Sequence, residues 1–486
     1  MKLKELLSGL EILKASADLE MDIDSVTYDS RKATPGCLFV AITGFVTDGN
    51  LYIPMALEKG AVAVVTAVPP KEDIPYVLVS NDRLALALIG ANYYGHPADA
   101  MTVIGVTGTN GKTTSTLLLK HVLEQVKGAK VGLMGTMDNM IGSEAVPAQR
   151  TTPESLDLQA LMAQMRSAGC THVIMEVSSH AIALERVGGF RFDLAAFTNL
   201  TEDHLDFHET MENYCDTKAL LFARSEKQVA NRDDEWFERM CSKAAGPVLA
   251  TSVKAREGLH AQNLSLLSDG ICFTAVYGDS RVEVKLPIPG KFTVYNALTV
   301  LGCSLQLGIS LEDAAAALGN AAGVKGRVEV VPTPGKPYTV LIDYAHTPDG
   351  LENVLSSVRG FCKGRLISVF GCGGDRDPIK RPIMGRIGVE LSDIAVITSD
   401  NPRSEDPMKI IADIVVGADA VGKPYVKMEN RVEAIHYAMD IGEKDDIIVL
   451  AGKGHETYQE ICGVKHHLDE REVVADYLNE EKKTEA

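Results

Sequence analysis

The sequence predicts an α/β protein in three parts, the second and third built on parallel sheets. Three observations predict it. At 486 residues the chain exceeds a single typical core. Short apolar, β-branched runs alternate with helical stretches along its length. In the middle and last parts these runs end in polar or glycine-bearing loops, the pattern of strands whose carboxyl ends meet along one edge.

Residues 1–97 carry the runs Cys37-Leu38-Phe39-Val40-Ala41-Ile42, Ala61-Val62-Ala63-Val64-Val65 and Tyr76-Val77-Leu78-Val79 and end at Gly95-His96-Pro97. They read as a small α/β domain. Within it, Asp29-Ser30-Arg31 taken alone is a solvated turn.

Residues 98–326 open on Val103-Ile104-Gly105-Val106-Thr107, which leads into Gly108-Thr109-Asn110-Gly111-Lys112-Thr113-Thr114. Leu117, Leu118, Val122 and Leu123 then recur at helical spacing. A glycine-rich turn between a strand and a helix is a phosphate cradle: backbone N–H groups and the helix dipole face one anion. Lys112 adds a point charge and the Thr113 hydroxyl can hold Mg²⁺, so the expected ligand is a nucleoside triphosphate with magnesium. The spacing departs from the ordinary P-loop, because Val106 stands where its first glycine would be. Two further strands are expected at His172–Val177 and Leu194–Thr198. Ligands of open parallel sheets sit beyond the strands' carboxyl ends, so the loops 176–180 and 199–204 should converge on the phosphate cradle. That would place Glu176 and His204 beside the triphosphate. Lys218 lies in an amphipathic stretch where a lysine ordinarily faces solvent, and Pro289-Gly290-Lys291 starts another helix.

Residues 327–486 hold four strand-like runs, each ending in a loop suited to chemistry. Val340–Ile342 leads into Asp343-Tyr344-Ala345-His346, and Leu366–Phe370 into Gly371-Cys372-Gly373-Gly374-Asp375-Arg376. Ile394–Thr398 leads into Ser399-Asp400-Asn401-Pro402-Arg403, and Ile447–Ala451 into Gly452-Lys453-Gly454-His455-Glu456. This is the pattern of a doubly wound, Rossmann-like sheet. The Gly371–Gly374 stretch lacks the spacing of a dinucleotide fingerprint.

Composition narrows the function. A net charge of −18 argues against nucleic-acid and membrane-surface partners, so an anionic substrate must be held by local positive groups. Nine scattered cysteines without a CxxC pair suit reduced thiols in the cytoplasm rather than a disulfide framework or a zinc site. No targeting signal or membrane span is expected.

Gly-Thr-Asn-Gly-Lys-Thr-Thr, Met175-Glu176-Val177-Ser178-Ser179-His180, Asn199-Leu200-Thr201-Glu202-Asp203-His204 and Asp400-Asn401-Pro402-Arg403 resemble, in order, motifs of the Mur ligase superfamily, whose members join a carboxylate to an amine using ATP. Asp29-Ser30-Arg31, with Pro35–Ala41 and Gly44–Gly49, resembles the UDP-binding domain of the group that adds the third residue of the peptidoglycan stem peptide. The resemblance implies a UDP-sugar-binding domain, a central ATP-binding domain and a C-terminal amino-acid-binding domain. It implies ATP contacts by residues 108–114, Asn296, Arg327 and Asp343, with Lys112, Glu176, His204 and Lys218 in the chemistry. Magnesium would be held by Thr113, Glu176, His204 and Lys218, the last carbamylated so that it presents oxygens rather than an ammonium. The nucleotide sugar dipeptide would meet Ser30, the loop 44–47, Thr151, Thr152, Ser178 and Arg186; Leu184 stands where some relatives have glutamine. The amino acid would meet Arg376, Asp400, Asn401, Pro402, Arg403, Gly452 and Glu456. Asp-Asn-Pro-Arg is of the type that takes meso-diaminopimelate, whose far carboxylate a guanidinium can pair bidentately. The implied partners are UDP-N-acetylmuramoyl-L-alanyl-D-glutamate, meso-diaminopimelate and ATP, in a monomer. The alternatives are ligation of L-lysine, folylpolyglutamate synthase, which leaves the N-terminal domain and Asp-Asn-Pro-Arg unexplained, and a nucleotide-driven switch.

Overall fold

The computed structural model describes residues 1–44, 47–148, 150–267 and 270–485. The chain folds into two compact units, Met1–Thr251 with Gly302–Ile309, and Ser252–Leu301 with Ser310–Ala486.

The first unit begins with β1 (Ile12–Ala15), β2 (Ser25–Thr27), β3 (Cys37–Ala41), β4 (Ala63–Thr66) and β5 (Tyr76–Val79). They form a sheet of order β1-β5-β4-β3-β2, parallel except for β1. β3 and β4 are buried along their whole length, which is why they read as continuous apolar runs.

Next come β6 (Thr102–Thr107), β7 (Val131–Met134), β8 (Asp138–Ile141), β9 (Glu144–Pro147), β10 (His172–Glu176), β11 (Phe192–Phe197), β12 (Ser225–Asn231) and β13 (Val248–Ser252). Their order is β13-β12-β11-β6-β10-β7-β8-β9. The pairings from β12 to β7 are parallel, and β8 and β9 extend the edge antiparallel. From β6 the chain crosses to β7 on one side, returns through β10, then crosses to β11 on the other. The carboxyl end of β6 is therefore a topological switch point, where open sheets bind ligands. Phe192, Phe197, Val173, Met175 and Met162 pack a core over this sheet.

The second unit holds an antiparallel meander of β14 (Leu259–Leu267), β15 (Gly270–Tyr277) and β16 (Ser280–Leu286). Its other sheet comprises β17 (Glu329–Val331), β18 (Thr339–Asp343), β19 (Leu366–Phe370), β20 (Ile394–Ile397), β21 (Val426–Lys427) and β22 (Ile447–Ala451). The order is β17-β18-β22-β19-β20-β21, parallel except for β17. One core takes Leu351, Met384, Ile387, Ile410 and Ile414 from helices Pro348–Arg359, Lys380–Leu391 and Pro407–Asp419. A separate core takes Ala434, Ile435, Val474 and Leu478 from helices Arg431–Asp440 and Glu470–Glu485. The sheet is doubly wound, as its loops predict. A hairpin, β23 (Tyr458–Ile461) and β24 (Val464–His467), follows β22.

Strands β1–β5, β6–β16 and β17–β24 fall within 1–97, 98–326 and 327–486. One local expectation needs correction. Asp343 closes β18 rather than opening a loop, because its carboxylate accepts from the Val328 and Ala345 backbone N–H groups at 2.8 Å each. Lys218, in a stretch where a lysine ordinarily faces solvent, is 1% exposed. All nine cysteines are free of disulfides, and among the described residues no helix is long and apolar enough to cross a membrane.

Candidate active site

The phosphate loop leaves β6 at Thr107, and helix Lys112–Lys127 starts behind Gly111, whose φ is +83°. Gly108 has φ +146°, and a Cβ there would run into the Thr198 hydroxyl, so only glycine fits. The exit of β11 braces the loop: Asn110 N donates to Asn199 Oδ1 at 3.0 Å, and Thr198 Oγ1 donates to Asn110 O at 2.7 Å. Lys112 Nζ donates to the carbonyls of Gly108 (2.9 Å) and Thr109 (2.8 Å), which holds its charge over the loop. Thr114 is buried beside Thr113 in the first turn.

Glu176, the last residue of β10, is 2% exposed. Its carboxylate accepts from Thr113 Oγ1 (3.0 Å), Thr136 Oγ1 (3.0 Å) and Thr136 N (2.9 Å). No cationic side chain pairs with it among the described residues, so a buried negative charge rests on neutral donors beside the phosphate loop. That donor set fits a divalent cation completed by phosphate oxygens. Among the described residues no group of three His, Cys, Asp or Glu side chains forms a metal site by itself.

Lys218 lies on helix Met211–Ala223, and its Nζ donates to Gly108 O at 3.0 Å. Burial, then the nearby Lys112 charge, pushes this amine well below the usual lysine range. His204 begins the turn Leu205–His208 with φ +55°, its Nε2 3.3 Å from Asp203 and its ring 4.8 Å from that of His180. Burial lowers its pKa. His208 lies within 2.8 Å of Ser179 Oγ, and burial brings its pKa down to about 4. The three loops expected to converge do so, through Thr113–Glu176, Asn110–Asn199 and the His180–His204 ring contact.

A cleft of about 1080 Å³ opens in the first unit, lined by Ser30, Thr47, Arg83, Arg150, Glu154 and Arg186 among others. Glu154, 5% exposed, has Arg186 Nε at 3.3 Å, Arg150 Nη1 at 3.5 Å and Arg83 Nη1 at 3.7 Å. Three guanidinium groups around one carboxylate leave local positive charge in an acidic protein, as the net charge requires of an anion site. Thr151, Thr152 and Ser178 are linked to the cleft indirectly: Arg186 Nη1 donates to Thr152 O (3.4 Å), Thr152 Oγ1 lies 3.4 Å from Ser178 Oγ, and Thr151 bonds Thr136 (3.1 Å). Of the loop 44–47, Phe45 and Val46 lie outside the described residues. Leu184 lines the cleft without a polar group. Sequence reading missed Arg83, Arg150 and Glu154; only the adjacency of Arg150 to Thr151 could have pointed there.

In the second unit, Arg327 packs its guanidinium 5.2 Å from the Tyr344 ring centroid, beside Asp343, whose carboxyl burial raises. Asn296 is buried on helix Lys291–Gln306. The loops after β20 and β22 meet. Asn401 Nδ2 donates to Glu456 Oε2 (2.8 Å), and Lys453 Nζ donates to Asn401 Oδ1 and Glu456 Oε2, both at 3.1 Å. The Lys453 side chain is 0% exposed. Sequence reading passed over it, although it sits inside the quoted loop. Arg403 has φ +50°; its Nη1 donates to Gly374 O (2.8 Å) and its Nε lies 3.4 Å from Glu460 Oε2, leaving Nη2 without a protein partner among the described residues. Pro402 is buried between Asn401 and Arg403, and Asn401 O accepts from Gly374 N at 2.9 Å. Gly452, φ +120°, lets its loop pass against Asp400: a Cβ there would sit 2.5 Å from Asp400 Oδ2. Arg376 is exposed, its Nη1 on Asp375 O at 3.0 Å. Behind the loop, Arg431 pairs with Glu470 at 2.7 Å and donates to Ala451 O at 2.9 Å, both side chains 0% exposed.

A triphosphate cradle at a switch point, joined in one chain to a second parallel sheet with amide, cationic and anionic groups at its strand ends, marks an acid–amino-acid ligase that spends a nucleotide to activate a carboxylate. The comparisons agree. Residues 22–94 match the model described as Mur ligase family, catalytic domain, residues 106–304 the Mur ligase middle domain, and residues 326–454 the Mur ligase glutamate ligase domain. A relative from Clostridium acetobutylicum, named UDP-N-acetylmuramoyl-L-alanyl-D-glutamate–2,6-diaminopimelate ligase 1, is 48% identical over 483 residues, covering 99% of this chain and 100% of its own. One of the same name without the numeral, from Clostridium tetani, is also 48% identical, over 488 residues at 99% and 100% coverage. A solved structure titled as that ligase matches with a TM-score of 0.73 at 30% identity, covering 99% of both chains. The chain belongs to the Mur ligase family.

Proposed function

We propose that the chain is the ATP-dependent ligase that attaches meso-diaminopimelate to UDP-N-acetylmuramoyl-L-alanyl-D-glutamate, a step of peptidoglycan synthesis and so of cell-wall growth, shape and division. The observation that carries this reading is the Asp400–Arg403 turn set against Glu456, in a chain 48% identical over its length to a protein named for that reaction.

A carboxylate is a poor acyl donor. Its oxygen attacks the γ-phosphorus of ATP, ADP leaves, and an acyl phosphate forms. The diaminopimelate amine then attacks the acyl carbon, phosphate departs and the amine loses a proton. Residues 108–114 bind the triphosphate, and Lys112 leaves the Gly108 and Thr109 carbonyls to meet phosphate oxygens. Asn296, Arg327 and Asp343 serve the rest of the nucleotide. Ser30, Thr151, Thr152, Ser178 and Arg186 hold the UDP-sugar dipeptide. Magnesium would be held by Thr113, Glu176, carbamylated Lys218 and His204, and when bound it neutralises charge on the phosphates. A neutral Lys218 amine is the form that adds to CO₂, giving a carbamate and releasing one proton, and burial supplies that form. Arg376, Asp400, Asn401, Pro402, Arg403, Gly452 and Glu456 receive the amino acid, with Arg403 Nη2 turned to its far carboxylate. Positioning and electrostatics carry most of the rate. The chain works as a monomer in the cytoplasm, the compartment that its free cysteines suit.

The test is phosphate release from ATP with the UDP-dipeptide and either meso-diaminopimelate, L-lysine or no amino acid, with the product weighed by mass spectrometry. Turnover and an adduct with diaminopimelate, and at most a trace of either with lysine, are expected. Activity with lysine alone would move the chain to the lysine-adding group, and turnover in all three without an adduct would make it a nucleotide-driven switch.

A further inference from the structure

Lys453 is the most enclosed charge in the amino-acid loop. Its side chain is 0% exposed, and its ammonium lies 3.1 Å from Asn401 Oδ1 and 3.1 Å from Glu456 Oε2. The Tyr458 ring, 5.6 Å from Nζ, closes a further side. Asn401 Oδ1 also accepts from Glu460 N at 2.9 Å, so the amide is locked with Nδ2 toward Glu456, to which it donates at 2.8 Å. Glu456 Oε2 is thereby taken by two protein donors, and Oε1 remains for a ligand. Nearby, Arg403 and Glu460 form a second opposed pair at 3.4 Å.

These contacts balance charge as well as geometry. Lys453 cancels Glu456, and Glu460 offsets Arg403, so these four side chains sum to zero. The far end of diaminopimelate carries an ammonium and a carboxylate and is neutral in sum. The far end of lysine is a lone cation. We propose that Lys453 is a specificity-determining residue: its buried ammonium holds Asn401 and Glu456 in place and keeps the site from accepting an amino acid whose far end is an uncompensated cation. This deepens the reading above and rests on it. Without Lys453 the site gains one net negative charge, and a distal cation is attracted where a neutral zwitterion gains nothing.

The experiment compares kcat/KM for meso-diaminopimelate and L-lysine in the wild type, Lys453→Met, and Lys453→Met with Glu456→Gln, each checked for folding by thermal unfolding. The ratio of the two kcat/KM values should fall at least tenfold in Lys453→Met and recover most of that loss in the charge-neutral double variant, although its absolute rates stay low. Should Lys453→Met fail to fold, Lys453→Gln, which removes the charge but keeps a donor to Glu456, carries the test, with the same fall in ratio expected. A purely structural lysine would lower both rates together and leave the ratio unchanged in Lys453→Met, which overturns the proposal, as does a double variant with a collapsed ratio. Wild type that forms no diaminopimelate adduct would instead refute the ligase reading, independently of Lys453.

Discussion

Replacing Arg403 by alanine tests the selectivity reading most directly. Its guanidinium is tethered to Gly374 O at 2.8 Å and flanked by Glu460 at 3.4 Å, with 22% of the side chain exposed. Removing one side of a buried charge pair costs about 2–5 kcal/mol, and partial exposure places Arg403 in the lower half, near 3 kcal/mol. At 1.4 kcal/mol per tenfold, kcat/KM for diaminopimelate should drop by roughly a hundredfold. The lost tether to Gly374 O, worth about 1 kcal/mol, loosens the loop for any amino acid, so lysine serves as the internal control. The assay is steady-state phosphate release with each amino acid at saturating ATP and UDP-dipeptide. KM for ATP should stay within about twofold, because Arg403 is assigned to the amino acid alone. Unchanged kinetics with diaminopimelate would refute the assignment, as would an equal loss with lysine.

Other expectations follow from the first unit. Gly108→Ala meets both the Thr198 hydroxyl and a backbone of φ +146°, so nucleotide affinity, read by calorimetric titration with a non-hydrolysable ATP analogue, should fall by an order of magnitude or more. Intact-mass and peptide mapping in bicarbonate buffer should find 44 Da, about the mass of CO₂, added at Lys218 and lost on acidification; an amine that stays unmodified while activity is full would contradict the carbamate. His208 binds a proton near pH 6.5 when unfolded but only at about 4 when folded, so stability should fall as pH is lowered between those values. The drop is read from urea midpoints, and His208→Gln should flatten it.

Much of this arrangement was legible because each strand ends in its own chemistry. The β6 loop, Glu176 and the Asp400–Arg403 turn are local signals: an apolar run followed by a fixed set of polar residues. Parallel sheets put such ends on one edge, so convergence followed from topology alone. The burial of Lys218 was not legible from spacing, since amphipathic periodicity reports the average face of a helix and not one residue reaching Gly108 O; only the family resemblance singled it out. The cluster around Glu154 was hidden because Arg83 and Arg186 come to it from far along the chain, even though Arg150 stands only four residues away. Lys453 was visible as a letter, but its burial depends on Asn401, 52 residues earlier.

The Arg431–Glu470 pair carries a consequence for how the protein is made. Arg431 holds the Ala451 carbonyl next to Gly452, and among the described residues Glu470 is its ion-pair partner, in a fully enclosed position. A guanidinium stranded there costs about 3–5 kcal/mol. On the ribosome every residue of the 452–456 loop is synthesised before Glu470, so that loop settles only once the final helix has emerged and docked. A chain interrupted between these points would have every strand of the sheet but leave the face that Val474 and Leu478 cover open to proteolysis, rather than persist as a partly selective enzyme.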